Sequence, residues 1–271
     1  MTALPAPRWS VVLGGGAAAG LIGGLFGVGG GVLLVPLLVL VLHVPQHRAH
    51  ATSLVAVACS AVTGAVRFGM DGAVAVPGAI ALSLGAITGA QIGARFMKRM
   101  TEGNLRRAFA IVLLLLALRF FFTGGDPSTA AGADTAVPAF TLPVLALHVL
   151  GGVAAGIISS VLGVGGGVIT VPLLVLAFGY GQHIAEGTSL AVIIPTAVTG
   201  ALAHHRSGLT DWRLGGWLGL GAVAGAGFGA SIALGLPADT LARFFGVLQL
   251  VVAGLMLRGS RPRLGGDRAR S

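Results

Sequence analysis

Long apolar runs separated by short polar stretches fill most of this 271-residue sequence. A helix needs about 20 predominantly apolar residues to cross a bilayer, and a soluble core of this size does not require so many such runs. The pattern therefore predicts an all-α polytopic membrane protein. The runs cover residues 9–42, 51–66, 73–94, 105–122, 139–178, 185–203, 214–236 and 240–257.

The second half of the chain repeats the first at an offset of 136 residues. The match begins with Gly20 and Gly156, continues without a gap, and gives 26 identities over the first 57 positions. Such duplication is typical of transporters built from two structural repeats. We divide the chain into one membrane domain with repeat one at 1–122, a linker at 123–138, repeat two at 139–257 and a basic tail at 258–271.

Each repeat opens with an apolar run that is too long for a single crossing. The 34 residues of 9–42 would make a helix of about 51 Å, against a hydrocarbon core of about 30 Å. The motif GVGGG interrupts the run at 27–31 and again at 163–167, and Pro36 or Pro172 follows five residues later. Because glycine and proline disfavour a helix interior, we predict a broken or re-entrant helix pair, followed by three transmembrane helices in each repeat.

The basic residues test whether each opening run crosses the membrane once or enters it and returns. If each opening run crossed once, the 17 lysines and arginines would divide ten to seven between the two faces. If each run instead enters and returns, they divide fourteen to three. Cytoplasmic loops carry an excess of basic residues, so the second arrangement is favoured. It makes the two repeats inverted and places both termini in the cytoplasm.

The glycine motifs are the first candidate binding site. Irregular backbone at membrane depth is tolerated only where protein buries it or where it lines a watery cavity. Broken helices in two inverted repeats indicate a site near the midplane, and helix N-termini there suit an anion. Close helix packing through small residues is the alternative. The candidates are Gly29, Gly30, Gly31, Gly165, Gly166 and Gly167.

A second repeated motif follows each break, as QHRAHATSL at 46–54 and QHIAEGTSL at 182–190. Its Thr-Ser pairs could contact a ligand or cap a helix N-terminus, and its histidines could carry protons or lie at the interface. Arg67 and Arg206 could attract an anion or snorkel to the interface. The motif adds the candidates Gln46, His47, Thr52, Ser53, Gln182, His183, Thr188 and Ser189.

Acidic residues are scarce, and Asp71, Glu186, Asp211 and Asp239 all fall at the ends of apolar runs. Cation carriers usually keep a carboxylate inside the membrane, so we expect an anion rather than a cation as substrate. The net charge of +9 is explained by basic loops and the tail, and no nucleic-acid partner is predicted. No nucleotide-binding, nucleophile or metal-ligand motif appears, so we predict no enzyme activity, cofactor or metal site.

The motifs GVGGGVLLVPLL, HATSL, EGTSLA and AVTGA, with HHRSGLTDW at 204–212, resemble those of the TauE/SafE sulfite exporter family, also called the toluenesulfonate uptake permease superfamily. The resemblance covers nearly all of residues 9–257. It implies an inner-membrane secondary transporter, an exporter by its family name, of sulfite, sulfonates or other small sulfur-containing organic anions. Alternating access would operate around the midplane site, while the direction, proton coupling and a homodimer are left open. A non-transporting membrane scaffold or accessory subunit is the alternative.

Overall fold

The computed structural model describes residues 9–96, 114, 139–162, 166–206 and 208–258. Within these residues the secondary structure is helical and contains no strands. Repeat one contributes α1 (Trp9–Leu25), α2 (Gly31–Val41), α3 (Gln46–Met70) and α4 (Val76–Phe96). Repeat two contributes α5 (Leu142–Leu162), α6 (Gly167–Ala177), α7 (Gln182–His205), α8 (Trp212–Gly235) and α9 (Ala238–Arg258).

The duplication in sequence is also a duplication in fold. Helices α6, α7 and α8 begin where the offset of 136 residues places the starts of α2, α3 and α4. Apart from the helical Leu114, the predicted segment 105–122 lies outside the described residues, as do the linker at 123–138, the tail beyond Arg258 and Gly165. The domain bounds therefore stay a prediction.

Four of the described helices, α3, α5, α7 and α8, are long and apolar enough to cross a membrane. Their outer faces carry large apolar side chains that no other part of the described chain covers, such as Leu142, Leu220 and Phe228. Exposed side chains of this kind suit contact with lipid. These features confirm the predicted all-α membrane protein.

Each opening run is broken as predicted. Helices α1 and α2 form a hairpin, because Gly30 contacts Ala19 and Leu37 contacts Gly15 on the way back. The reversal uses positive φ angles at Gly27, Gly29 and Gly30, which residues with a Cβ adopt only at a cost. Pro36 and Pro172 are each followed by a π-helical turn, Leu37–Val41 and Leu173–Ala177.

The first helix of each repeat packs along the fourth helix of the other repeat, α1 on α8 and α5 on α4. A Cβ on Gly20 would overlap the backbone of Ala222, and a Cβ on Gly156 would overlap the backbone of Ala86. Glycines on the facing helices α8 and α4, including Gly225 and Gly89, make the same kind of close contact with α1 and α5. Small residues allow such close approach between membrane helices, so these glycines have a packing role.

Helices α3 and α7 lie at the centre and pack against each other. Gly64 faces Leu190, and the equivalent Gly200 faces Leu54, so the two helices run antiparallel. Helix α3 also packs on α8, and α7 packs on α4. The helices therefore form two mixed groups, α1 with α3 and α8, and α5 with α4 and α7, which meet where α3 crosses α7.

The starts of α3 and α7 differ from the predicted ones. The apolar runs begin at 51 and 185, but the helices begin at Gln46 and Gln182, after Pro45 and Gly181. Of the two roles left open for the Thr-Ser pairs, capping of these helices is therefore excluded, since Thr52 and Thr188 lie in the second turn. Polar residues can occupy the first turn because it lies at one end of the helix, where the side chains of His47 and Arg48 are exposed.

Candidate functional site

The two glycine-rich hairpin tips, residues 26–30 of repeat one and 166–167 of repeat two, are in contact between α3 and α7. A Cβ on Gly167 would overlap the Gly27 carbonyl oxygen and the Val28 Cα. A Cβ on Gly29 would meet Val57 of α3 and Ile193 of α7. Both of these side chains lie near the middle of their helices. The irregular backbone of the two repeats therefore meets at mid-depth of the bundle.

Two buried hydroxyls hold the tip of repeat one against the central helices. Ser60 of α3 donates to the carbonyl oxygen of Gly29 at 2.8 Å, and Ser189 of α7 donates to the carbonyl oxygen of Gly27 at 2.8 Å. Ser189 was a predicted site residue and Ser60 was not. A signal for Ser60 existed, because it interrupts an apolar stretch at a position where repeat two has Thr196.

The tip glycines do not all have the same role. Close packing accounts for Gly27, Gly30 and Gly167, each of which faces backbone atoms. Gly166 differs, because its φ is −52° and the nearest atom to its Cβ would be Oγ1 of Thr170 at 3.7 Å. A Cβ at this position therefore makes only ordinary contacts with the described residues. Ligand binding by Gly29, Gly31 and the other tip glycines stays a prediction.

The threonines of the second motif connect the two repeats. Thr52 Oγ1 accepts a hydrogen bond from the backbone N–H of Asp211 at 3.1 Å, and Thr188 Oγ1 accepts one from the backbone N–H of Ala75 at 2.9 Å. Each bond fixes the segment that leads into the fourth helix of the other repeat. Ser53 donates to the carbonyl oxygen of His50 at 2.9 Å. A ligand role for these hydroxyls stays a prediction.

Two opposite ends of the bundle hold the remaining candidates. At the α3 end, where α3 begins and α7 ends, Gln46 starts α3, His47 is exposed, and Arg206 follows α7. At the α7 end, His183 Nε2 lies 3.0 Å from the Ala233 carbonyl oxygen. Arg67 at that end pairs with Asp71. The structure therefore does not bring either arginine to the hairpin tips.

Basic residues lie at both ends of the described bundle, and the fourteen-to-three division of the whole chain stays a prediction. Arg48 and Arg206 lie at the α3 end, as does Arg213, whose guanidinium lies 5.6 Å from the centre of the Trp9 ring. Arg67 lies at the α7 end, where its Nε donates to Ser231 of α8 at 3.0 Å.

Glu186 corrects one expectation. It was placed at a segment end, but it is fully buried in the second turn of α7 and is covered by Gly27. Gln182 Nε2 donates to its Oε1 at 2.7 Å. The other oxygens of this pair, Glu186 Oε2 and Gln182 Oε1, have no hydrogen-bond partner among the described residues. The expectation failed because α7 starts before the apolar run and the hairpin tip of the other repeat covers its first turns.

An apolar cavity of about 330 Å³ lies between α4 and α7. Its lining includes Val74, Ile80, Leu84 and Pro195, with Ser83 as a polar member. Such a surface does not suit a small anion, and no candidate site residue lines it. Among the described residues, no three His, Cys, Asp or Glu side chains group as metal ligands.

Comparisons with known proteins add an independent finding. The family model described as sulfite exporter TauE/SafE matches residues 2–120 and 148–271. A probable membrane transporter protein of Xylella fastidiosa (strain 9a5c) is 28% identical over 246 residues, covering 90% of this chain and 92% of the relative. The probable membrane transporter protein YdhB of Bacillus subtilis is 27% identical over 238 residues, covering 88% and 95%. No solved structure matches the chain significantly.

Proposed function

Because the chain belongs to the sulfite exporter TauE/SafE family, we propose that it is a secondary transporter of a small sulfur-containing anion. The substrate class is sulfite, a sulfonate or a related organic anion, carried across the cytoplasmic membrane. The relatives named probable membrane transporter proteins support the transport activity. The family description supports the sulfur oxyanion.

The contact between the hairpin tips is the observation that carries this proposal. Non-helical backbone meets there between α3 and α7, at a depth where lipid cannot satisfy free amide groups. Helices α2 and α6 begin at Gly31 and Gly167, next to the contact, and their N-terminal amides favour negative charge. The substrate anion binds at these tips when they separate.

The two mixed helix groups supply the moving parts. Each group contains helices of both repeats, and the groups meet at the antiparallel crossing of α3 and α7. Antiparallel equivalent helices suit inverted repeats, in which one group rocks against the other to give alternating access. The contact between Gly167 and Val28 closes the path between the two faces.

The orientation in the membrane follows from the basic residues. Arg48, Arg206 and Arg213 lie at the α3 end, which we assign to the cytoplasmic face by the positive-inside rule. The tail beyond Arg258 carries four further arginines and belongs on the same side. Both termini are then cytoplasmic.

Exchange of radiolabelled sulfite in proteoliposomes tests the function. Vesicles preloaded with unlabelled sulfite should take up the label against its own gradient, and protein-free vesicles should not. Exchange does not depend on the direction of transport or on the coupling ion, so it reports the carrier alone. Absence of exchange with sulfite and with simple sulfonates would favour the scaffold or accessory-subunit alternative.

A further inference from the structure

We propose that Glu186 and Gln182 form the proton-binding site that couples transport to the proton gradient. This inference rests on the proposed transport function. Its basis is a fully buried carboxylate, hydrogen-bonded to a buried amide, with one oxygen on each side chain that has no partner among the described residues. Native proteins leave few buried polar atoms unsatisfied, and each such atom needs a physical explanation.

A single proton satisfies both oxygens. An ionised carboxylate only accepts hydrogen bonds, whereas a protonated one also has an O–H to donate. With the proton on Oε2, Glu186 can donate to Oε1 of Gln182 while its own Oε1 still accepts from Nε2. The result is a closed acid–amide pair without net charge. The ionised form would leave a charge and two unsatisfied acceptors in a buried site, which is costly.

The described surroundings supply no counter-charge to Glu186. The described residues form no ion pair with it, and Arg67, at this end of the bundle, is paired with Asp71. On α9 the side chain of Arg243 is exposed, and Tyr180 is hydrogen-bonded to His148. Helix α6 and the hairpin tip 26–30 carry no titratable side chain. Among the described residues, the titratable groups at this end are His148, Tyr180, His183, Arg67, Asp71, Asp239 and Arg243.

The position of Glu186 connects the proton to the moving part. Gly27 lies against the Glu186 backbone, and Ser189, one turn further along α7, holds the carbonyl oxygen of Gly27. With the proton bound, the neutral pair packs against the closed tip. Loss of the proton favours hydration of the carboxylate, and water can reach it only when α7 and the tip separate.

Infrared spectroscopy of the purified protein in lipid tests proton binding without reference to transport. At neutral pH the wild-type protein should show the carbonyl stretch of a protonated carboxyl group, and Glu186→Gln should lack it. Asp239→Asn, which removes a half-buried carboxyl group outside the site, should retain the band. Absence of the band from the wild-type protein at neutral pH would overturn the proposal.

Transport provides the second readout. In vesicles, a pH gradient should change sulfite accumulation by the wild-type protein and by Asp239→Asn. In the Glu186→Gln variant, sulfite accumulation is normalised to the sulfite exchange rate of the same variant. This normalised accumulation should not change with the pH gradient. A response like that of the wild-type protein would contradict the proposal. If the wild-type protein shows the infrared band but no sulfite exchange, the transport function fails and the protonated site stands.

Discussion

The two repeats place opposite chemistry at one equivalent position. His50 in the second turn of α3 corresponds to Glu186 in the second turn of α7. His50 lies beside another imidazole, with its ring centre 5.9 Å from that of His204, whereas Glu186 is buried against Gln182. The α3 end is therefore basic, and the α7 end contains a buried carboxyl group.

The residues that are identical in the two repeats have a different role from His50 and Glu186. They include the threonines that bind the opposite repeat and the glycines that allow α1 and α5 to approach α8 and α4. The comparison indicates that repeated residues hold the two halves together. The residues that differ between the halves make the two faces of the transporter unequal.

The largest expected effect comes from breaking a repeated contact. Gly20→Ala and Gly156→Ala each place a Cβ on the backbone of the facing helix, and overpacking of this kind costs about 3 kcal/mol. Both variants should lower the thermal midpoint strongly and to a similar extent, as measured by thermal unfolding in detergent. Gly14→Ala is the matched control on α1, because nothing lies within 4 Å of its Cβ. A clearly larger fall of the thermal midpoint in one of these variants than in the other would contradict equivalent roles of Gly20 and Gly156.

A smaller effect is expected from the threonine pair. Thr52→Val and Thr188→Val each leave a backbone N–H without its acceptor, which should cost about 1 kcal/mol. The two thermal midpoints should fall together, and Thr52→Ser and Thr188→Ser should retain most of the stability because they keep the oxygen. A loss at only one position would show that the contact is not equivalent in the two repeats.

The smallest effect concerns a pair that exists only in repeat two. Tyr180 donates to His148 Nε2 at 2.9 Å, whereas the equivalent positions in repeat one are Val44 and Val12. Tyr180→Phe should cost about 0.5 to 1 kcal/mol, measured as a lower thermal midpoint. Val44→Ile, which adds only a methylene at the equivalent position, is the control for packing.

The effect of Tyr180→Phe on the thermal midpoint has a defined pH dependence. Burial raises the pKa of Tyr180 to about 12, so the folded protein favours the neutral phenol. Its contribution is complete below the unfolded pKa of about 10 and is lost as the pH rises through about 12. The midpoint difference between the wild-type protein and Tyr180→Phe should therefore be equal at about pH 8 and about pH 9. A difference that shrinks over this interval would contradict the hydrogen-bonded role.

Local features of the chain were sufficient to predict much of the fold. The GVGGG motifs with Pro36 and Pro172 predicted the broken opening runs, because backbone preferences of glycine and proline act within a few residues. The starts of α3 and α7 were misplaced because apolar periodicity ignores polar residues such as His47 that occupy a first helical turn. The offset of 136 residues still aligned the helices correctly.

Contacts between distant segments limited prediction of the site. Nothing local indicates that Gly27 covers Glu186 or that Ser60 binds Gly29, since these pairs join different helices. The arginines at 67 and 206 were grouped with the glycines because both could attract anions, yet they lie at opposite ends. A comparison of the repeats position by position would have shown that Glu186 has His50 as its equivalent.

The most direct test of the anion site is ligand-dependent thermal stabilisation of the purified protein. Gly166→Leu should fill the tip, since its Cβ would meet only two side-chain oxygens of the described residues within 4 Å, and Gly216→Leu is the control because nothing lies within 4 Å of its Cβ. Sulfite should raise the thermal midpoint of the wild-type protein and of Gly216→Leu by mass action, and it should not raise that of Gly166→Leu. An equal rise in all three proteins would contradict a binding site at the hairpin tips.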